Sequence, residues 1–209
     1  MRKYFETVDH EVLLSILRKR IKDEDLMRLI CLILANHKTS TSGKGMPLGN
    51  LTSQFFANVY LAELDNFVKH VLKAKYYIRY VDDFVILHRS KEQLADWQVK
   101  INLFLSEKLK IELHQDKTKI IPLRNGVPLV GFRIFHICRL LKKSNLRKMQ
   151  KRLSGFRVKF TRGEVTKEHI LLSVAGWGGY ARMGNTYRLQ MKVRKEAEEI
   201  LEKCKPEKS

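Results

Sequence analysis

Two neighbouring aspartates, Asp82 and Asp83, interrupt one of the most apolar stretches of the chain. Ile78, Tyr80 and Val81 precede them, and Phe84, Val85 and Ile86 follow. In mid-strand, successive side chains point to opposite faces, and one of the two carboxylates would be buried. At the tip of a two-stranded hairpin both can reach one solvent-facing site. Carboxylates held a few ångströms apart repel each other. A hard dication such as Mg²⁺ relieves that repulsion, because it takes oxygen ligands and pairs with phosphates. The competing reading is a plain turn, in which aspartates serve the bend and face water.

A second feature is the stretch Gly45-Met46-Pro47-Leu48-Gly49-Asn50-Leu51-Thr52-Ser53-Gln54. Glycines, a proline and small polar residues run straight into an apolar helix. Such a loop can bring backbone N–H groups close to a base pair or a phosphate, helped by the helix N-terminus. Read blandly, it is a loop and cap, with Asn50 or Thr52 at the N-cap. The third feature is basic: Lys142, Lys143, Arg147, Lys148, Lys151, Arg152, Arg157 and Lys159 recur at helical spacing. They form either a solvated face or a phosphate-binding one, and the second reading predicts strongly salt-dependent binding.

Composition favours a polyanionic partner. The 209 residues carry 41 Lys and Arg against 22 Asp and Glu, a formal charge of +19. Residues 138–209 alone hold 19 basic residues against 7 acidic ones. The break near Cys138 therefore separates a mixed α/β body, residues 1–137, from a basic helical tail, residues 138–209. Hydrophobic residues make up 44%, enough for a packed core. No apolar run is long enough to span a membrane, and the basic helices lack the strongly apolar opposite face of a membrane-surface protein. Cys31, Cys138 and Cys204 are far apart and odd in number, which fits neither a disulfide framework nor a zinc site; a reducing cytoplasm is the default. Cys31 and Cys138, among apolar neighbours, are expected to be buried, and the seven histidines show no metal-ligand spacing.

Periodicity and caps supply the elements that must position these residues. Helices are expected from His10 to Ile21 behind Asp9, from Asp23 to Ala35, and from Leu51 to Leu72. Lys38–Gly45 reads as a loop. Tyr76–Val81 and Phe84–His88 read as the two strands of the acidic hairpin. Lys91–Leu109 is expected as helix, Lys110–Leu123 as extended chain, and Val127–Ile137 as one further strand after a turn at Arg124-Asn125-Gly126. The tail offers three helices, Ser144–Phe160, Thr166–Tyr180 and Thr186–Lys203.

In this order and spacing, loop, helix and acidic hairpin resemble the palm of a reverse transcriptase. Lys44 to Leu61 is similar to that family's motif B, and Arg79-Tyr80-Val81-Asp82-Asp83-Phe84 to its motif C. Tyr4-Phe5 through Val8-Asp9-His10 resembles the end of motif A and the helix after it. Gln115-Asp116-Lys117-Thr118-Lys119 resembles motif D, and Leu129-Val130-Gly131-Phe132 resembles motif E, the primer grip. The resemblance covers nearly the whole chain and implies an α+β fold: a palm with an antiparallel sheet and packed helices, followed by an all-helical thumb. Leu48-Gly49 and Ser53-Gln54, where other branches carry Gln-Gly and Ser-Pro, look like the enzymes of diversity-generating retroelements. Asn185-Thr186-Tyr187 is similar to a thumb element of those enzymes.

The resemblance implies DNA synthesis on an RNA template by a two-metal mechanism, using Mg²⁺ (or Mn²⁺) and deoxynucleoside triphosphates. Asp82 and Asp83 would hold the metal, with Asp82 preferred as direct ligand. Phe5 would be the steric gate against a 2′-hydroxyl. Leu48, Gly49 and Gln54 would shape the wall around the incoming nucleotide, with low fidelity opposite template adenines. Lys117 would protonate pyrophosphate, and Leu129, Val130, Gly131 and Phe132 would support the primer end. Lys142, Lys143, Arg147, Lys148, Lys151 and Arg152 would contact the nucleic acid. Trp177, Tyr180 and Tyr187 are candidates for stacking on the primer strand or for core packing. A basic accessory protein is also implied.

One departure matters. The motif A aspartate stands five residues before the steric gate, and counting back from Phe5 puts it immediately before Met1. The fingers, which precede it in the family, also fall outside the sequence. Asp9 reads as a helix cap and not as a substitute. The expectation is a truncated or split enzyme, or a misplaced start, with weak or no polymerisation by this chain alone and a separate fingers fragment as partner. Without the motif A strand the palm sheet gains an open edge that invites association. The alternative is a catalytically dead, nucleic-acid-binding remnant.

Overall fold

In the computed structural model, which describes residues 1, 3–36, 42–47 and 49–203, side-chain caps set where four of the helices begin. After a single turn, α1 (Tyr4–Thr7), helix α2 (His10–Arg18) starts behind Asp9, whose carboxylate accepts the Val12 N–H. Helix α3 (Glu24–Ala35) starts behind Asp23, which accepts from Leu26. Helix α4 (Leu51–Asn66) has no such cap: Asn50 holds the N-cap position without a side-chain hydrogen bond. Thr52, the other expected cap, lies inside the helix with a buried hydroxyl that has no partner. The helix continues as a π turn, Phe67–Val71. Strands β1 (Tyr76–Tyr80) and β2 (Asp83–Leu87) form an antiparallel hairpin, and α5 (Lys91–Leu109) follows behind the Ser90 cap.

The chain is α+β and divides into two compact units, Met1–Ile120 and Ile121–Ser209. That division precedes the compositional break near Cys138. In the first unit α4 is the central element, burying Phe56, Ala57, Tyr60, Leu61 and Leu64. Trp97, Ile101, Leu105 and Leu109, four residues apart along α5, join the same core, and Phe67 stacks on Phe104 at 4.3 Å between ring centroids. Each fully buried leucine there contributes about 1.5–3 kcal/mol of transfer free energy. The Tyr60 hydroxyl donates to the Leu109 carbonyl at 2.6 Å, tying the two helices where α5 ends. Residues 110–122, expected as extended chain, form no paired strand; Lys110 turns left-handed (φ 49) and pairs with Asp9 at 3.0 Å instead. Helix α2 ends at Arg18, short of the expected Ile21.

The second unit opens with a three-stranded antiparallel sheet, β3 (Val127–Leu129), β4 (Phe132–Ile134) and β5 (Arg139–Leu141). The single strand expected over Val127–Ile137 is thus two, reversed at Val130-Gly131. Both turn residues have positive φ (45 and 78), as a type I′ hairpin turn requires. The expectation of an all-helical tail from residue 138 also needs correction, because Arg139–Leu141 is a strand. Asn185 pins it: its side-chain oxygen accepts the Arg139 N–H at 2.9 Å, and its own N–H donates to the Arg139 carbonyl at 2.7 Å. Helices α6 (Lys143–Thr161), α7 (Lys167–Ala181) and α8 (Tyr187–Lys203) follow close to the expected bounds. They bury Met149, Leu153, Phe156, Phe160, Ile170, Val174, Val193, Ala197 and Ile200 against one another. Cys31 and Cys138 are half-exposed thiols, contrary to expectation, and Cys204 lies outside the described residues.

Candidate active site

Register decides what the acidic hairpin can do. Tyr80 pairs with Asp83, which leaves Val81 and Asp82 as the two turn residues, and Val81 is left-handed (φ 53). A β-branched residue rarely adopts that conformation unless its surroundings hold it there. Tyr77 and Arg79 lie opposite Ile86 and Phe84 on one face of the hairpin. Tyr76, Ile78 and Tyr80, each 57–58% exposed, occupy the other face with Asp83. Asp83 is exposed, and the Asp82 side chain is 35% exposed. The Met1 amino group lies 3.6 Å from Asp82 Oδ2 and donates to the Asp82 carbonyl at 3.4 Å. Among the described residues the hairpin has no further strand on either edge.

Behind the turn sits a hydrogen-bonded network on α4. Arg79 donates through Nε and Nη2 to the two oxygens of Asp65, at 2.7 and 2.6 Å. Its Nη1 donates to the Val81 carbonyl at 2.8 Å and to Asn58 Oδ1 at 3.3 Å. The Tyr77 hydroxyl donates to Asp65 at 2.7 Å. Burial alone would push the Asp65 carboxyl up, but the Arg79 and Tyr77 hydrogen bonds and the guanidinium charge outweigh it and hold the carboxyl below its ordinary value. The Tyr77 phenol is pushed well above its usual range, by burial first and then by the Asp65 carboxylate.

The glycine-proline loop is tied to the start of the chain. Met46 N–H donates to the Phe5 carbonyl at 2.7 Å, Gly45 N–H to Val8 at 2.8 Å, and His10 N–H to Gly43 at 3.0 Å. The Tyr4 hydroxyl, fully buried, donates to the Ala57 carbonyl of α4 at 2.7 Å. Phe5 is therefore held by the loop and, through its neighbour Tyr4, by α4, half-buried with its ring against that of Tyr4. Gly49 is left-handed (φ 89) with open space around it, and Gln54 is exposed on the first turn of α4. Leu48 and residues 38–41 of the Lys38–Gly45 loop lie outside the described residues. Asp9 serves as the cap of α2 and as the partner of Lys110. Burial raises its carboxyl, and the Lys110 and Val12 hydrogen bonds more than reverse that.

Lys117 is exposed in the turn at residues 115–117, where its N–H donates to the His114 carbonyl. No hydrogen bond or ion pair links it to Asp82 or Asp83 among the described residues. Leu129, Val130, Gly131 and Phe132 form the β3–β4 turn, which α6 and α7 clamp. Asn145 Nδ2 donates to the Gly131 carbonyl at 3.4 Å and to the Tyr180 hydroxyl at 3.1 Å, and Tyr180 donates to the Val130 carbonyl at 3.1 Å. Lys142, Lys143, Arg147, Lys148, Lys151 and Arg152 are all exposed, away from the buried stripe Met149, Leu153, Phe156 and Phe160. None of the six pairs with a carboxylate among the described residues; Arg152 donates to the Ser173 hydroxyl at 3.2 Å. Trp177 packs against the helical core, and Tyr187 is 76% exposed.

Asp82 and Asp83 adjoin at the turn, and no group of three metal-ligating side chains occurs among the described residues. No described helix is long and apolar enough to cross a membrane. Asp65, Asn58 and Asn145 are the site-supporting residues that sequence reading missed. A signal existed for Asp65: Tyr77 and Arg79, two apart on a strand, must share a face and need a polar partner there.

The reverse transcriptase (RNA-dependent DNA polymerase) family matches residues 1–159. Protein YkfC of Escherichia coli (strain K12) is 27% identical over 168 residues, covering 63% of this chain and 44% of that protein. Group II intron-encoded protein LtrA of Lactococcus lactis subsp. cremoris is 24% identical over 198 residues, covering 62% of this chain and 33% of LtrA. The chain spans less than half the length of either relative.

Proposed function

This chain belongs to the reverse transcriptase family, and from that premise we propose that it supplies palm (residues 1–137) and thumb (residues 138–209) of an enzyme that synthesises DNA on an RNA template. The observation that carries the reading is the acidic turn: Asp82 lies against Met1, and the Phe5 carbonyl accepts the Met46 N–H of the glycine-proline loop. The donor chemistry fits Mg²⁺ or Mn²⁺, since both side chains offer carboxylate oxygens, and Asp82 and Asp83 would hold the ions. Bound there, such ions stabilise the attacking 3′-hydroxyl oxygen and the charge of the departing pyrophosphate.

The chain's own residues do the rest. Phe5, held by the Met46 N–H, leaves no room for a 2′-hydroxyl on the incoming sugar. Leu48, Gly49 and Gln54 form the wall beside the nascent base pair. Lys117 gives its proton to the leaving pyrophosphate, a general-acid role. Leu129 to Phe132 hold the primer end. Lys142, Lys143, Arg147, Lys148, Lys151 and Arg152, without acidic partners among the described residues, meet the phosphates of template and primer. The substrates are deoxynucleoside triphosphates, the compartment is the reducing cytoplasm, and a basic accessory protein helps engage the template.

Leu48-Gly49 and Ser53-Gln54 support the diversity-generating branch. A group II intron-type enzyme is the second reading, favoured by the kinship with LtrA. Primer extension on an RNA template with Mg²⁺ or Mn²⁺ tests the function, with Asp82→Asn/Asp83→Asn as control. Extension lost in the double variant is the expected result; extension that survives it contradicts the reading. Frequent misincorporation opposite adenine separates the first branch from the second.

A further inference from the structure

The acids need more than proximity, because a turn residue such as Asp82 has no strand pairing of its own to aim its side chain. Val81, immediately before it, is a β-branched residue in the left-handed region (φ 53). Left alone, that conformation is costly and would relax. One side chain reaches the turn from behind: Arg79 Nη1 donates to the Val81 carbonyl at 2.8 Å. The guanidinium is itself fixed, because its other two donors grip both oxygens of Asp65 and its side chain is 11% exposed. Asp65 sits near the end of α4, and Tyr77 donates to it as well. The planar fork of arginine makes the double contact to Asp65 and the third contact to Val81 at once; a lysine ammonium is a point donor and cannot span them.

We propose that Arg79, held by Asp65, is a positioning residue that locks the Val81 peptide and thereby aims the Asp82 carboxylate at the metal shared with Asp83. This rests on the polymerase reading of the same hairpin, and the test separates the two.

Mn²⁺ binding to the purified chain is followed by electron paramagnetic resonance, with circular dichroism melting alongside. Arg79→Lys keeps a cation for Asp65 but releases Val81; it should melt near the wild-type temperature and bind Mn²⁺ about tenfold more weakly, the size typical of removing the support behind a metal ligand. Arg79→Gln should weaken binding at least as much. It also supplies the answer if the lysine variant does not fold. Adding Val81→Gly to Arg79→Gln should restore part of the affinity, because glycine adopts positive φ without a clamp. A purely structural role predicts a lower melting temperature, unchanged affinity and no rescue, and that result overturns the proposal. If Asp82→Asn/Asp83→Asn abolishes binding while both Arg79 variants bind like wild type, positioning fails and the polymerase reading stands. If the double aspartate variant binds normally, the polymerase reading itself fails.

Discussion

The Met1 nitrogen lies 3.6 Å from Oδ2 of Asp82, so the backbone at residue 1 runs directly alongside the acidic turn. Any residue joined before Met1 must start from that position. Extending the chain with Met-Asp ahead of Met1 turns the ammonium at residue 1 into a peptide amide and sets a further carboxylate beside Asp82. Mn²⁺ affinity is expected to rise about tenfold, since carboxylate count tunes the affinity of oxygen-ligand sites. An Asn in the same place is expected to give a much smaller gain. Isothermal titration of both extended chains checks this, and equal affinities would refute it.

Asp65 and Asp9 both have carboxyls held below their ordinary values, by partners that outweigh burial. A carboxyl depressed in the folded state contributes stability that is fully present above its unfolded pKa and is lost as pH falls through the folded one. The melting temperature should therefore show little dependence on these two groups above about pH 5 and should drop below about pH 4. Asp65→Asn should lower the plateau and flatten the acid limb. A melt series from about pH 3 to about pH 7 on both proteins, by circular dichroism, is the measurement; an acid limb equally steep in the variant would count against the Arg79–Asp65 pair.

Gly131 is required twice over. Its φ of 78 disfavours any side chain, and a Cβ there would collide with the Tyr180 hydroxyl and the Asn145 amide. Gly131→Ala is expected to destabilise the second unit by about 2–3 kcal/mol. Tyr180→Phe, which removes a hydrogen bond without overpacking, should cost only about 1 kcal/mol. Urea unfolding followed by Trp177 fluorescence compares the two.

The exposed basic residues of α6 predict a steep salt dependence of RNA binding. Replacing Lys148 or Arg152 by alanine should reduce the slope of log affinity against log salt by about 0.7 for each single-strand phosphate that is no longer neutralised. Fluorescence anisotropy with a labelled RNA at several salt concentrations measures it. Slopes unchanged from the wild type would make this face merely solvated.

How far the sequence could be read depended on where each signal lies. Lys91–Leu109 matches the expected helix to the residue; Ser90 caps one end and the left-handed Lys110 closes the other. The acidic hairpin was legible because two charges between apolar strands leave few places to go. The Val130-Gly131 reversal was hidden, since Val130 reads as a strand former while its backbone adopts positive φ. Arg139–Leu141 was obscured by basic neighbours, being three residues long and pinned by Asn185 from far along the chain. The Asp65–Arg79 pair joins a helix end to a strand 14 residues later; Tyr77 and Arg79 on one strand face signal a polar partner, but no local pattern says which residue it is.

The most direct measurement replaces Mg²⁺ with Fe²⁺ and maps, by mass spectrometry, where locally generated hydroxyl radicals cut the backbone. Cuts clustered at residues 81–84 and 1–5, and abolished in Asp82→Asn/Asp83→Asn, are expected if these carboxylates hold the catalytic ions. Cuts elsewhere, or a pattern indifferent to the double substitution, would contradict the assignment of this turn as a metal-binding polymerase centre.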